Sequence, residues 1–386
     1  MAALARQVSA SIQGISFLAV PSQISSPYGA TRRVEDPAWR ADQGSEQAVQ
    51  SDPPKQYGIT LHGEAMLRVM GAGSAGGYEG DLISRITDYA NRCLEMTEGE
   101  SFDVIHAHDW VTFPAGMAIA ARTGKPLIVH VHSTEFDRSG ENVNQPVYDI
   151  ERQGMHAAAA IIAVSHLTKR VLVERYGIAP DKVRVIHNGI EPRAVAAPLP
   201  SERPREKTVL FLGRITMQKG PEFFIHTAAK VLAKYNNVRF IMAGWGDLGP
   251  RIIEQVAAMG LGSRFRFTGF LRGRDVERAY RAADVYVMPS VSEPFGLTAL
   301  EAIQYGVPVI LSKSSGAAEV ISTGALKCDF WDVDEMANKI VALLSHRELG
   351  EALCRCGTAE LRTLTWDSAA SQCIALYKEQ VEACSN

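Results

Sequence analysis

The sequence predicts an α/β protein made of two doubly wound, parallel-sheet halves. Three observations predict it. From about residue 102 onward, short apolar runs rich in Val and Ile alternate with longer helical stretches. A charged segment with four prolines, at 190–207, breaks that rhythm near the midpoint. The 386 residues also exceed the roughly 250–300 at which single cores stop growing.

Taken in order, residues 1–34 hold Arg6, Arg32 and Arg33, several serines and no acid before Glu35, a composition loosely like a transit segment. Against that, Gly14–Pro21 (GISFLAVP) reads as a buried strand ending in a turn, and the strand is the favoured expectation. Residues 23–58 read as a long polar loop. Gly71–Gly80 (GAGSAGGYEG) reads as a flexible segment opening onto a helix at Asp81–Met96. Strands are expected at Phe102–Ala107, Pro126–Val131, Ala160–Val164 and Val183–His187. After the break they are expected at Thr208–Leu212, Val238–Ala243, Arg264–Phe270, Ala283–Met288, Pro308–Leu311 and Ala325–Phe330. Near-continuous apolar strands separated by helices indicate parallel sheets covered on both faces. Domains are therefore expected at 1–189 and 208–365, with 190–207 as linker and 366–386 as a C-terminal helix packing back towards the first domain.

Composition removes several classes of function. Forty Lys+Arg stand against 43 Asp+Glu, a net charge of -3, so no global basic footprint for nucleic acid exists. The longest clean apolar run, Ala157–Val164, falls far short of the ~20 residues a membrane helix needs. The six cysteines (93, 328, 354, 356, 373, 384) are scattered and read as reduced thiols in a cytoplasmic compartment. Cys354 and Cys356 would sit roughly 200° apart around a helix, poor geometry for a metal.

Two βα turns carry the candidate chemistry. The strand ending Phe211-Leu212-Gly213 delivers Arg214, and Lys219 follows just before a helix near Pro221. Ligands of doubly wound sheets lie at the carboxyl ends of strands, and a helix N-terminus favours an anion. Two cations beside such an end suit a diphosphate, although an ordinary surface βα turn would look the same. In the second turn, Glu293 precedes Pro294 and Gly296, and a helix opens at about Gly296. The N–H groups of Gly296, Leu297 and Thr298 would form another anion cradle. Glu301, on the first turns of that helix, could accept hydrogen bonds from ribose hydroxyls. Acids near a helix N-terminus are also favoured by the macrodipole alone. A third turn, Ser314–Glu319, follows the next strand.

Together Glu293-x7-Glu301, Gly213-Arg214…Lys219-Gly220 and His187-Asn188-Gly189 resemble the retaining glycosyltransferases of family 4, with two facing Rossmann-like domains of the GT-B fold. The match runs from about Phe102 to the C-terminus, and His106-Ala107-His108-Asp109-Trp110 is similar to the glycogen and starch synthases. The resemblance implies that Arg214 and Lys219 bind the donor diphosphate and Glu301 the ribose. It also implies that Glu293 faces the donor sugar and that His132 is a donor-facing histidine. His130 lies two residues earlier on the same strand face, and His106 and His108 likewise share a face. No acid or thiolate set accompanies these pairs, so His106 and His130 are expected to be packed histidines bonded to backbone and no metal is expected. Asp332-Val333-Asp334 matches the D-x-D pattern of metal-dependent transferases, but it directly precedes a helix and N-capping explains it.

The implied activity is retaining transfer of a sugar, glucosyl by preference, from a nucleotide-diphosphate sugar to a hydroxyl acceptor such as a glucan. No cofactor is expected beyond that co-substrate. Family members usually begin with a strand, a Gly-rich loop and a helix. Nothing before Gly14–Pro21 offers that loop, and Gly76-Gly77 comes late and follows no strand, so the first domain is expected to be incomplete at its start. Two alternatives stay open at this point: a nucleotide-sugar-binding protein without turnover, and a nucleotide-sugar 2-epimerase on the same fold.

Overall fold

The structure, a computed structural model, describes residues 80–191 and 206–385. The expected strand at Gly14–Pro21, the loop at 23–58, nearly all of the Gly71–Gly80 segment and most of the 190–207 linker lie outside the described residues.

All ten strands expected from residue 102 onward are present. In the first half, β1 (Ile105–His108), β2 (Leu127–Val131), β3 (Ala160–Ala163) and β4 (Val183–Val185) form a parallel sheet in that order. Around it lie α1 (Gly80–Met96), α2 (Phe113–Thr123), α3 (Glu135–Ser139), α4 (Gln145–Ala157) and α5 (His166–Tyr176). Strand β2 is buried at every position, which is why it reads as apolar throughout except at His130. Helix α5 begins where the Ser165 Oγ accepts the Thr168 N–H, 3.0 Å away. The short α3 carries a capping box in which Thr134 and Asp137 satisfy each other's backbone N–H groups.

The second half contains β5 (Lys207–Leu212), α6 (Pro221–Leu232), β6 (Val238–Ala243), α7 (Gly249–Ala258) and β7 (Phe265–Gly269). It continues with α8 (Arg274–Ala282), β8 (Val285–Met288), α9 (Leu297–Gln304), β9 (Val309–Ser312), α10 (Ala317–Val320) and β10 (Ala325–Cys328). Helices α11 (Val333–Ser345), α12 (Arg347–Leu361) and α13 (Trp366–Ser385) close the chain. Its six parallel strands run β10-β9-β8-β5-β6-β7. The order reverses between β5 and β8, so their carboxyl ends open the crevice that serves as the ligand site in such sheets.

Two apolar clusters, one around Phe224, Phe240 and Ile340 and the other around Leu210, Leu300 and Leu311, cover the faces of this sheet. In the first half, Phe113, Val129 and Ile161 lie in one cluster. The opposite face, Ile128, Ala160 and Ile162, is covered by Ala369 and Leu376 of α13. The last helix of the chain thus belongs spatially to the first sheet. The two chain crossings between the halves are joined by the Ile190 N–H donating to the Leu364 carbonyl at 2.8 Å.

Asp332 is the N-cap of α11, its carboxylate accepting the Glu335 N–H at 2.8 Å, and Asp334 pairs with Lys230 on the surface. The D-x-D segment is a helix start.

Candidate active site

The site grows from two loops at the switch point. After β5 the chain passes Arg214, turns through a short 3-10 segment at Met217–Lys219 and enters α6 through Gly220. Gly220 has φ +65°, and a Cβ there would lie 2.1 Å from the Pro289 carbonyl oxygen. Only glycine permits so close an approach, and it brings the turn against the loop after β8. The Val291 N–H donates to the Gln218 carbonyl at 3.0 Å, and the Lys219 Nζ lies 2.6 Å from Glu293 Oε2. Glu293 is buried, and the Ser290 hydroxyl also donates to it, at 3.3 Å. Arg214 is exposed, its guanidinium donating to the Gln218 side chain at 3.1 Å.

The third turn joins the other two. The Glu293 N–H donates to the Ser314 carbonyl at 3.0 Å, and the Gly316 N–H to the Glu293 carbonyl at 2.9 Å. Gly296, at φ +106°, starts α9, and a Cβ there would lie 2.9 Å from the Met288 methyl carbon. Leu297 and Thr298 open the helix, where backbone N–H groups lack intrahelical acceptors. The Tyr286 hydroxyl fixes Thr298 Oγ1 at 2.8 Å, and the Tyr280 hydroxyl donates to Glu301 Oε2 at 2.9 Å. Burial, together with neighbouring acidic groups, holds the Tyr280 phenol far above its ordinary range, so it stays a donor.

Two cavities flank the start of α9. One of about 70 Å³ is lined by Gly213, Lys219, Ser290, Glu293 and Thr298. The other, about 170 Å³, is lined by Gly189, Glu191, Leu297, Glu301, Gln304 and Trp366. Lys219 and Glu293 thus face one side of α9, and Glu301 faces the other. Lys219, which the sequence places in a turn, pairs with a buried carboxylate 74 residues away.

From the first half comes a two-by-two array of imidazoles. His108 and His130 are register partners on β1 and β2. With His106 and His132 they form a stack whose centroids lie 4.2 Å (His130–His132) to 5.4 Å (His106–His130) apart. His108 Nδ1 lies 2.9 Å from His132 Nε2. Burial, reinforced by the neighbouring imidazoles, pulls His106 down to about 3 and His108 to about 4, and holds His130 lower still. Burial alone brings His132 to about 4. All four are neutral at pH 7. The expected backbone bonds of His106 and His130 are not formed. His106 Nδ1 meets the Tyr377 hydroxyl of α13 at 2.5 Å, and both ring nitrogens of His130 are buried without a protein partner. Ring nitrogens of His106, His108 and His130 lie within 4.8 Å of one another. Their planes are within 32° of parallel.

The halves meet beside the site. The Ser292 hydroxyl donates to Asp137 of α3 at 2.5 Å. The Glu319 carboxylate accepts the His166 and Leu167 N–H groups at 2.8 and 2.7 Å, capping α5 from the other half, with His187 Nε2 at 3.4 Å. Burial opposes this charge, but those bonds hold Glu319 below the usual carboxylate range. Sequence reasoning placed Glu319 in a turn but gave Glu319, Asp137, Tyr280 and His108 no role at the site. The one available signal was the pair of H-x-H patterns on consecutive strands.

Comparison with known proteins agrees with this geometry. Residues 200–358 match the model of glycosyl transferases group 1, and residues 74–194 that of glycosyltransferase family 4. An uncharacterized glycosyltransferase of Methanocaldococcus jannaschii, MJ1607, is 30% identical over 302 residues, 73% of this chain and 77% of that protein. The D-inositol 3-phosphate glycosyltransferase of Corynebacterium efficiens is 27% identical over 343 residues, 80% of each. The structure of Anabaena Alr3699/HepE in complex with UDP-glucose superposes with a TM-score of 0.65 at 20% identity, covering 75% of this chain and 82% of that one. Fold and site define a two-domain, Rossmann-like enzyme of the GT-B type. The chain belongs to the family 4 glycosyltransferases.

Proposed function

We propose that the protein transfers a sugar, glucosyl by preference, from a nucleotide-diphosphate sugar to a hydroxyl acceptor with retention of anomeric configuration. The observation that carries this reading is the convergence at the β5/β8 switch point of Lys219, Glu293 and the start of α9, with Glu301 one helical turn further on. Arg214, Lys219 and the Gly296–Thr298 amides take the diphosphate, and Glu301 takes the ribose. Glu293 and His132 face the sugar. As the bond from the anomeric carbon to the phosphate oxygen breaks, these preorganised donors stabilise the charge on the leaving group. The acceptor oxygen bonds to the same face of that carbon, and its proton ends on the departing phosphate. The cations and helix start supply the positive charge without a metal. Closure of the halves excludes water from the intermediate state. An acceptor of glucan type fits the His106–Trp110 segment, whereas the inositol phosphate acceptor named for the Corynebacterium relative points to a small polyol.

The six cysteines are all unpaired, which supports a reducing, cytoplasmic setting. No helix among the described residues is long and apolar enough to cross a membrane.

UDP-, ADP- and GDP-sugars screened for thermal stabilisation identify the donor, since a ligand at ~100 times its dissociation constant adds roughly 2.7 kcal/mol. Proton NMR of the product then reads the anomeric configuration. Binding without product from any acceptor would leave a binding protein, and interconversion of the donor alone would make the protein an epimerase.

A further inference from the structure

His132 stands at the carboxyl end of β2 and is fixed by the segment that ends β1. Its backbone N–H donates to Asp109 Oδ1 at 2.7 Å, and its Nε2 lies 2.9 Å from His108 Nδ1. Asp109 has φ +58°, the one non-glycine residue in the left-handed region among the described residues. That conformation is sparsely populated and persists only where its surroundings impose it. Here the Asp109 N–H donates to the His130 carbonyl at 2.9 Å, and the Thr112 N–H donates to the Asp109 carbonyl at 3.0 Å. The strained turn therefore aims a carboxylate at the His132 backbone while the preceding residue meets its ring.

A hydrogen bond between two neutral imidazoles contains one proton, so one ring donates and the other accepts. Whichever way it runs, the His108 bond at Nε2 selects the His132 tautomer. It thereby sets whether the remaining nitrogen, Nδ1, offers a proton or a lone pair. We propose that His108 is a positioning residue that fixes the orientation and tautomer of His132. Desolvation, and for the surface-exposed His108 the adjacent His132 ring as well, keeps both rings neutral, as this arrangement requires. In this proposal His108 acts through His132. The inference rests on the reading of His132 as the donor-facing histidine.

The test uses the full chain labelled with ¹⁵N in its histidine rings, with His132 assigned by its loss in His132→Gln. Wild type shows two well-separated His132 nitrogen shifts, as for one dominant tautomer. In His108→Leu they move towards each other as the tautomers mix. In His108→Asn, whose amide lies near the position of Nδ1, the separation returns. With the donor that the wild type uses, His108→Leu lowers kcat about tenfold (about 1.4 kcal/mol) with the donor KM changed less than about twofold, and His108→Asn recovers much of the loss. Unchanged His132 shifts in a folded His108→Leu protein overturn the inference. Failure of the wild type to turn over any nucleotide sugar refutes the transferase reading instead, and the ring shifts still decide the role of His108.

Discussion

Removing the Lys219 charge should damage two things at once, and the geometry separates them. In Lys219→Ala the Glu293 carboxylate, with a side chain only 9% exposed, keeps a single partner, the Ser290 hydroxyl at 3.3 Å. Breaking a buried pair from one side leaves an uncompensated charge, about 3–5 kcal/mol when fully buried. The Lys219 side chain is 20% exposed, so some water reaches the gap, and a loss of about 1–3 kcal/mol is expected. Adding Glu293→Gln removes the stranded charge and should return most of that stability. Affinity for a nucleoside diphosphate behaves differently. A charge-assisted bond to phosphate contributes about 1.5–3 kcal/mol, so Lys219→Ala should weaken binding roughly 10- to 150-fold, and the double variant should not recover it. Urea unfolding gives the first quantity, and calorimetric titration with UDP, ADP and GDP the second. Equal affinity in wild type and Lys219→Ala would refute the donor-site assignment. A stability loss that Glu293→Gln leaves in place would refute the pairing argument.

Further outcomes follow from the same geometry. Gly296→Ala forces a Cβ to within 2.9 Å of the Met288 methyl carbon at φ +106°, so a loss of about 1–3 kcal/mol in urea unfolding and weaker nucleoside-diphosphate binding are expected. The imidazole array makes the fold acid-sensitive. The folded pKa values lie below the ordinary 6.5, so as pH falls the unfolded chain takes up protons first. Stability is therefore complete above about pH 6.5 and is lost progressively towards pH 4, by up to about 1.4 kcal/mol per pH unit for each group kept neutral. His130→Leu should flatten that dependence in urea titrations between pH 7 and 5, and an unchanged slope would count against the array as its source.

The strands were legible because each is a short segment built around Val, Ile, Leu or Phe with at most scattered polar residues, and β6 was placed to the residue at Val238–Ala243. β1 and β4 span fewer residues than expected, although the Ile186 N–H just beyond β4 still donates to the Ala163 carbonyl of β3 at 3.0 Å. Strand order was not legible, since an apolar run carries no record of its neighbours. The positions of Arg214, Lys219, Glu293 and Glu301 in turns and at a helix start were legible because they lie close to glycines that punctuate strand ends. Their pairings were not, because Lys219 and Glu293 are 74 residues apart. The imidazole array was hidden for a related reason. Each H-x-H pattern shows two histidines on one face, but only the register that sets His108 opposite His130 makes four neighbours of them.

The placement of α13 has a consequence for how the chain is made. The face of the first sheet formed by Ile128, Ala160 and Ile162 is covered by Ala369 and Leu376, and Arg184 pairs with Glu379 across the same seam at 3.0 Å. A ribosome delivers those covering residues some two hundred positions after the strands that need them. Until then the first sheet carries an uncovered apolar face, a state open to misassembly. The first half cut at the linker therefore lacks part of its own core, and maturation of the first lobe waits for the end of the chain to be synthesised.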